Sequence, residues 1–504
     1  MATRLLPYFL LAAITAGYLA WSWSTILGGF GGDNANYLLM AQYYSPYSTP
    51  SPAASYLASA SIYPPLFPLL LGLSGGGESL LLAHLVTTGF LLLAFVIFYL
   101  WLIRAPIDTK TAWCTLIALA LLPGIYFQTL SIHSENLYVL LTMAALFCLS
   151  ESQRRPSQPL VILALLSIAA AYLTRTAAIS LIFAALAWMW FHRIPRKGLL
   201  SLLLIAPVIL WSQLGKTGTT NYWQQLLNGY HDPAVMADQI SLQARYLFVG
   251  WLTNFGDSRA SSIAGIATLA AGLAGTLWRI KLGYADGLYV LCYIAMAILW
   301  PFPAEAQRLT IAILPIILMH AVWLADKWKL PELRIKPLVA LLLATITISV
   351  IPEFALHLHR FLSPLPTGIP TTYRHAEWWY STNPDAARFN IQAMAALEQG
   401  MKHIESKVPG NACIYSIKPS VVAYLSKRKS IAPPSAGADA DAFESSVLKS
   451  ECRFFYMMIY TSPSFSSPLY PYERMREKLE IIEPTYLYPN SNDSTIVGLL
   501  ARMK

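Results

Sequence analysis

Four charged side chains stand out because each lies at the end of a long apolar run. They are Asp33, Glu135, Arg175 and Arg308. Acids and bases held at the boundary of an apolar bundle are costly next to lipid and are usually functional. Two guanidinium groups on one face would suit a lipid phosphate, because the planar fork of arginine pairs with phosphate through two parallel hydrogen bonds.

Each of these residues also has a structural interpretation. Asp33 could cap an interfacial helix over residues 34–44, and Glu135 could cap the helix that it opens. Arg175 and Arg308 could simply extend towards lipid headgroups. Capping and catalysis are compatible, so the residues alone leave both interpretations open.

The elements that must position these side chains are strongly apolar. The chain of 504 residues is 56% hydrophobic and 12% charged, whereas a soluble domain carries roughly a quarter charged residues. The apolar runs end at about residue 360. Much of the net charge of +9 sits in short loops between the runs, a distribution typical of cytoplasmic loops in membrane proteins, so we expect no nucleic-acid partner.

Run lengths and flanking charges predict about eleven transmembrane helices, with the N-terminus in the cytoplasm. Residues 111–149 and 160–191 have basic flanks at both ends, so each is predicted to be a hairpin of two helices. The second hairpin turns at Arg175. Outer loops are predicted over residues 28–78 and 215–259, the latter as a reentrant or interfacial segment. This topology places all four charged residues on the outer face.

Two domains follow from the same pattern: a polytopic α-helical membrane region over residues 1–358 and an extracytoplasmic α/β domain over residues 359–504. In the second domain, strands are predicted over 412–417, 453–460 and 494–501, and helices over 419–426 and 441–450. The domain contains no phosphate-binding glycine motif. It is therefore predicted to cap the site or bind an acceptor without supplying catalytic residues.

Two of the five cysteines, Cys413 and Cys452, lie in the predicted outer domain, each at the start of a predicted strand. The outer compartment is oxidising in most bacteria. If the two strands are parallel neighbours, their starts lie about 5 Å apart, which is within range of a disulfide. The alternative is a pair of free buried thiols. The remaining cysteines lie in apolar runs, and no spacing indicates a metal site.

An ordered set of short motifs connects these features. In chain order it is Gly32-Asp33 through Tyr37-Leu38 and Ala41, Tyr63-Pro64-Pro65-Leu66, Ser134-Glu135-Asn136-Leu137-Tyr138, Thr174-Arg175-Thr176-Ala177, and Arg308-Leu309 with Pro315. The order and sidedness of this set resemble the GT-C glycosyltransferases of the protein O-mannosyltransferase and lipid A aminoarabinose transferase type. The predicted outer domain is also similar to that of many bacterial members.

This resemblance implies transfer of a sugar, with inversion, from a polyprenyl-phosphate-linked donor on the periplasmic face of a bacterial inner membrane. Asp33 matches the first-loop acid of the family and would act as general base on the acceptor hydroxyl. Arg175 and Arg308 would neutralise the leaving phosphate. Glu135 is a second catalytic candidate. Further candidates for substrate binding are Tyr37, Tyr63 and Lys216.

Two departures leave the sugar and the acceptor open. The aminoarabinose transferases carry a lysine before the paired prolines of the first loop, whereas this chain has Tyr63 there. The mannosyltransferases have an acidic pair in the first loop, whereas in this chain Asp33 is followed by Asn34. The acceptor is therefore a lipid, a protein or a polysaccharide. His231 and Asp232 alone do not indicate a metal, so we expect neither a metal nor a cofactor.

Two other functions are compatible with a polytopic chain. A transporter or flippase of envelope lipids or glycans would usually show an internal repeat and charges near the membrane midplane. This sequence shows no repeat and concentrates its charges on one side. A non-catalytic scaffold of the same fold would differ from the enzyme only in lacking activity.

Overall fold

The computed structural model describes residues 2–30, 32–60, 63–105, 107–214, 233–300, 305–327, 337–381, 383–433, 445, 447–459, 476–488 and 495–504. Helices dominate the first 362 residues. They are α1 (Ala2–Ser22), α2 (Gly32–Tyr44), α3 (Pro52–Ala60), α4 (Leu66–Leu73), α5 (Leu80–Arg104), α6 (Thr109–Ala120), α7 (Pro123–Tyr126), α8 (Glu135–Arg154), α9 (Gln158–Thr174), α10 (Ile179–Phe191), α11 (Lys197–Leu214), α12 (Pro233–Thr253), α13 (Arg259–Lys281), α14 (Ala285–Ile298), α15 (Ala306–Ile311), α16 (Leu314–Lys327) and α17 (Pro337–Leu362).

Three of these helices are long and apolar enough to cross a membrane: α5, α13, and α17 over Leu338–Leu362. Counting the bent pair Thr109–Ala120 and Pro123–Thr129 as one span raises the number to four. The predicted count of about eleven crossings is therefore not confirmed. Several other apolar helices, including α9 and α14, have only 10–17 residues, which is short for a hydrocarbon core of about 30 Å.

The predicted helix breaks are present at the positions that carry charge. Helix α9 ends at Thr174, and Arg175 is extended (φ −149°) before a 3₁₀ turn over Thr176–Ala178 leads into α10. Helix α8 opens at Glu135 after the break that follows α6. The second predicted outer loop differs from expectation, because α12 forms a helix of 21 residues within it.

Helix α2 is confirmed, but it is not an interfacial helix that rests on lipid. Seven residues of α2 on more than one side of the helix are buried, including Asn34, Tyr37, Leu38 and Met40. Its partners include α3, α4 and a short helix from the C-terminal part, α19, described below. The helix that carries Asp33 is therefore enclosed by protein, which fixes the direction of its first turn.

The described residues of the C-terminal part include a five-stranded sheet and two helices. These elements are α18 (Pro384–Lys407), β1 (Cys413–Tyr415), α19 (Pro419–Ser426), β2 (Lys429–Ile431), β3 (Phe454–Met458), β4 (Leu479–Tyr486) and β5 (Ile496–Met503). The strand order is β2-β1-β3-β5-β4. Strand β1 runs parallel to β2 and β3, whereas β5 runs antiparallel to β3 and β4.

The three predicted strands and the helix over Pro419–Ser426 are present, whereas α18, β2 and β4 were not predicted. Helix α18 starts with an Asn383 cap and buries Ile391, Leu397 and Ile404 on one face, a periodicity that the sequence does contain. Strand β4 lies at the sheet edge, where its Pro484 is tolerated and obscures the pattern. The helix predicted over 441–450 is described only in part. Residues 447–449 are helical, whereas residues 441–444 and 446 lie outside the described part of the chain.

Candidate active site

Asp33 lies in the first turn of α2, and a side chain contacts each of its carboxylate oxygens. The hydroxyl of Tyr63 donates to Oδ1 at 2.5 Å, and Arg308 Nη1 lies 2.6 Å from Oδ2. The Asp33 side chain is 23% exposed, so it is partly open to solvent. Two elements distant in sequence therefore hold the carboxylate in place while leaving it accessible to a small polar group.

Glu135 links the two arginines. Its Oε1 lies 2.6 Å from Arg175 Nη1 and 2.7 Å from both Nε and Nη2 of Arg308. The side chain is only 1% exposed, and its Oε2 is buried without a hydrogen-bond partner among the residues that the structure describes. A buried carboxylate between two guanidinium groups fixes their separation and orientation, so Glu135 has a positioning role in this geometry.

Arg308 makes the most ionic contacts in the cluster. Besides Asp33 and Glu135, its Nη1 lies 2.7 Å from Glu305 Oε2, a carboxylate that is 42% exposed. Arg175 also donates to Ser134 Oγ at 3.2 Å. Both guanidinium groups are thus bound inside the protein, with side chains 18–19% exposed. They do not extend away from the protein towards headgroups.

The candidate substrate-binding residues differ in position. Tyr63 contacts Asp33 directly, as described above. Tyr37 is 2% exposed. Its hydroxyl bonds to Ser134 Oγ at 2.8 Å, and its ring packs edge-on against Tyr63 and Phe67. Tyr37 therefore supports the cluster from behind. Lys216 lies outside the described residues.

Three residues near the cluster were not predicted: His133, Glu305 and Glu377. His133 and Glu305 adjoin predicted site residues in sequence, which was a usable signal. Glu377 is in a 3₁₀ turn over Glu377–Tyr380, in the part of the chain predicted to supply no catalytic groups. Its Oε2 lies beside Gly29, 3.7 Å from where a Cβ on that glycine would stand.

The charges of the cluster shift the pKa values of its members. Burial by itself would raise the pKa of Asp33, but the charge of Arg308, the nearby His133 and the hydrogen bond from Tyr63 hold it well below its usual range. Burial, reinforced by Arg308, lowers the pKa of His133 to about 4, so this imidazole is neutral at pH 7. At neutral pH the site therefore contains an ionised Asp33 beside an uncharged histidine.

Glu377 behaves differently from Asp33. Its side chain is accessible to solvent, yet burial raises its pKa, against the opposing charge of Arg308. Through the amide and the side chain of Glu377, the C-terminal part of the chain therefore contacts the backbone at Gly28 and Gly29, just before Asp33.

The described cluster has no spare positive charge. Asp33, Glu135 and Glu305 carry three negative charges against the two positive charges of Arg175 and Arg308. An anionic ligand at these guanidinium groups would therefore compete with the carboxylates that already pair with them. Among the described residues, no group of three or more His, Cys, Asp or Glu side chains is arranged to hold a metal ion. His231 and Asp232 lie outside that part of the chain.

Comparison with solved structures gives the class of the fold. The structure of ArnT from Cupriavidus metallidurans bound to undecaprenyl phosphate has a TM-score of 0.59 and 12% identity, covering 99% of this chain and 98% of that chain. The apo state of the same protein has a TM-score of 0.56 and 11% identity, with the same coverage. An oligosaccharyltransferase from Archaeoglobus fulgidus, in complex with Zn and sulfate, has a TM-score of 0.49 and 12% identity, covering 88% and 68%.

No protein-family model matches the chain, and no curated protein sequence matches it significantly. The likeness to ArnT extends over nearly the whole of both chains, so it includes the helical part and the small C-terminal sheet. At such low identity it establishes the fold alone. The chain is a helical membrane protein with the GT-C fold.

Proposed function

We propose that this protein is a membrane glycosyltransferase that moves a sugar from a polyprenyl-phosphate-linked donor to an acceptor hydroxyl, with inversion. One observation carries the proposal: Asp33, Glu135, Arg175 and Arg308 come from four distant parts of the chain and form one connected ionic cluster. The fold of the chain supports it, because ArnT, which shares that fold, has been solved with undecaprenyl phosphate bound.

In the proposed reaction, the acceptor oxygen attacks the anomeric carbon from the side opposite the leaving group. The bond between that carbon and the phosphate oxygen breaks, and polyprenyl phosphate leaves. Asp33 takes the proton of the acceptor hydroxyl as general base. Arg175 and Arg308 bind the phosphate and stabilise the charge that it gains, while buried Glu135 holds the two guanidinium groups in position.

Donor binding and base activation are coupled in this scheme. The contact between Arg308 and Asp33 keeps the pKa of Asp33 low, and a carboxylate in that state is a weak base. A phosphate offers Arg308 the same kind of charge-assisted hydrogen bonds that Asp33 provides. When Arg308 turns to the donor phosphate, Asp33 loses its cation, its proton affinity rises, and it becomes a better base.

The sequence-based topology completes the proposal. Residues 1–358 form the membrane region of a bacterial inner-membrane protein with its N-terminus in the cytoplasm, and residues 359–504 form an extracytoplasmic domain. The reaction takes place on the outer face. The acceptor is a lipid, a protein or a polysaccharide. The described cluster consists of carboxylates and guanidinium groups and accounts for the proposed chemistry without a cofactor.

The direct test is to incubate the purified, detergent-solubilised protein with a panel of polyprenyl-phosphate sugars and candidate acceptors, and to quantify free polyprenyl phosphate. We expect release with at least one donor, and none from Asp33→Asn. Transbilayer movement of intact donor in proteoliposomes, without release, would instead indicate a flippase. If a broad panel of donors gives neither release nor transbilayer movement, that result would favour a non-catalytic scaffold.

A further inference from the structure

The backbone that leads to Asp33 is irregular, so its carbonyl groups need partners from elsewhere in the chain. We define the Asp33 segment as residues 26–30 and 32–34, which connect the end of α1 to the first turn of α2. Gly28 in this segment has φ +83°, and a side chain there would overlap the carbonyl of Leu130. Residues 26–30 of this segment lie outside the helices and strands, so they are not held by regular helix or sheet hydrogen bonds.

Residues from the C-terminal part supply key partners at both ends of the segment. The amide of Glu377 donates to the Gly28 carbonyl at 2.9 Å, and the hydroxyl of Ser420 donates to the Gly32 carbonyl at 3.1 Å. Just before the segment, His375 Nδ1 donates to the Trp21 carbonyl at 2.7 Å. The C-terminal part thus binds the chain immediately before Asp33 as well as the start of its segment.

Apolar packing supports the same contact. Ala423 of α19 packs with Leu39 of α2 and with Ala53 and Ala54 of α3 in one buried cluster. Ser420, on the preceding turn of α19, is 8% exposed and faces Gly32. A side chain on Gly32 would stand 3.3 Å from Ser420 Oγ. Helix α19 is therefore fitted closely against the turn that carries Asp33.

We propose that Ser420 is a positioning residue for Asp33: through the Gly32 carbonyl it fixes the first turn of α2, so that the carboxylate stays in register with Arg308 and Tyr63. The inference rests on the proposed function of Asp33 as the base. It changes the role of the C-terminal domain from the cap or acceptor-binding module expected from sequence to part of the catalytic framework. Small displacements of a reacting group lower rates strongly, by up to about 100-fold per ångström.

The test compares Ser420→Ala with two matched variants. Ser426 lies on the same helix, is fully buried and donates to a carbonyl of its own helix, that of Val422. Ser426→Ala therefore removes a similar hydroxyl without touching the Asp33 segment. Ser420→Thr keeps the hydroxyl. We expect Ser420→Ala to lower kcat about tenfold with unchanged donor Kd, and both matched variants to keep near wild-type kcat.

Two outcomes on active protein would overturn the inference: equal kcat for Ser420→Ala and Ser426→Ala, or a loss that appears entirely in donor Kd. A readout independent of activity separates this inference from the proposed function. Amide hydrogen exchange over residues 32–40, followed by mass spectrometry, should speed up in Ser420→Ala and not in Ser426→Ala. If the wild type releases no polyprenyl phosphate, the proposed function fails. In that case faster hydrogen exchange in Ser420→Ala still supports the docking of α19 against the Asp33 segment. Unchanged exchange in Ser420→Ala rejects it.

Discussion

Arg308 Nη1 lies 2.6 Å from Asp33 Oδ2, although 275 residues separate the two in sequence. The proposed base and one of the proposed phosphate-binding arginines thus form an ion pair with each other. The same Nη1 also contacts Glu305 at 2.7 Å. This arrangement gives the cluster two carboxylates, Asp33 and Glu305, that share one cation but differ in their proposed roles, which makes them useful for a matched experiment.

Replacing Asp33 with Asn should abolish transfer, while expression and donor binding remain nearly intact. The amide keeps the shape of the side chain but cannot take up the acceptor proton, a step worth about 10²–10⁴-fold in rate. Glu305→Gln removes a carboxylate from the same guanidinium group and should cost far less. Turnover is measured as released polyprenyl phosphate. Near wild-type turnover in Asp33→Asn would show that Asp33 is not the base.

Replacing either Arg175 or Arg308 with Ala should weaken donor binding by about 10–100-fold, since a hydrogen bond to a charged group contributes about 1.5–3 kcal/mol. Lysine should rescue only in part because it lacks the planar fork. Arg154→Ala is the control, because Arg154 pairs with Glu151 at the opposite end of α8 from Glu135. Donor Kd is measured by calorimetry. Equal Kd in all variants would mean that neither arginine binds phosphate.

The pH dependence of kcat/KM should reveal the Asp33–Arg308 contact. Because the pKa of Asp33 lies well below its usual range, Asp33 is ionised in the free protein at pH 5–8 and should produce no acid limb there. Arg308→Gln removes the cation, so the pKa of Asp33 should rise. On acidification, kcat/KM of this variant should therefore begin to fall at a higher pH than kcat/KM of the wild type. The position of the limb, not the absolute rate, is compared. Superimposable profiles would contradict this assignment.

Sequence reasoning located charged residues well, but it could not pair them. Arg175 was placed at a helix break because its flanks required a turn, and the break is there. The contacts of Arg308 depend on how α15 packs against α12, which no local pattern specifies. Glu377 was missed for the same reason: its position beside Gly29 depends on how the C-terminal part docks. Local patterns predict elements, whereas the site arises from their packing.

A second ionic pair, away from the candidate site, should matter for stability alone. Arg279 and Asp286 are 1% and 0% exposed and form a bidentate pair, with Nε to Oδ1 at 2.7 Å and Nη2 to Oδ2 at 2.5 Å. Asp286→Ala leaves a buried unpaired charge and should destabilise the fold by about 3–5 kcal/mol.

The double variant Arg279→Met with Asp286→Leu should recover most of that loss, because a well-packed apolar pair can replace a buried ion pair. Thermal unfolding in detergent is the measurement. If Asp286→Ala unfolds like the wild type, the pair contributes little. If the double variant is no better than the single one, packing rather than charge limits stability at this position.

The last prediction is that Cys413 and Cys452 form a disulfide in the mature protein and that it stabilises the C-terminal part. In the structure the two residues are joined, with Cα atoms 4.4 Å apart, and β1 and β3 are parallel neighbours. The bond closes a loop with a sequence separation of 39 residues, so by chain entropy it should contribute up to about 4 kcal/mol. Non-reducing peptide mapping should recover the linked pair from membranes.

Replacing both cysteines with serine should lower the melting temperature of the purified protein, whereas Cys148→Ser, at a free buried cysteine in α8, should not reproduce the effect. The disulfide also lies close to the proposed positioning helix, because β1 ends at Tyr415 and α19 begins at Pro419. Reduction should therefore speed hydrogen exchange in α19 before it affects the helices of the membrane region. Recovery of both cysteines as free, alkylatable thiols from an oxidising compartment would refute the pairing.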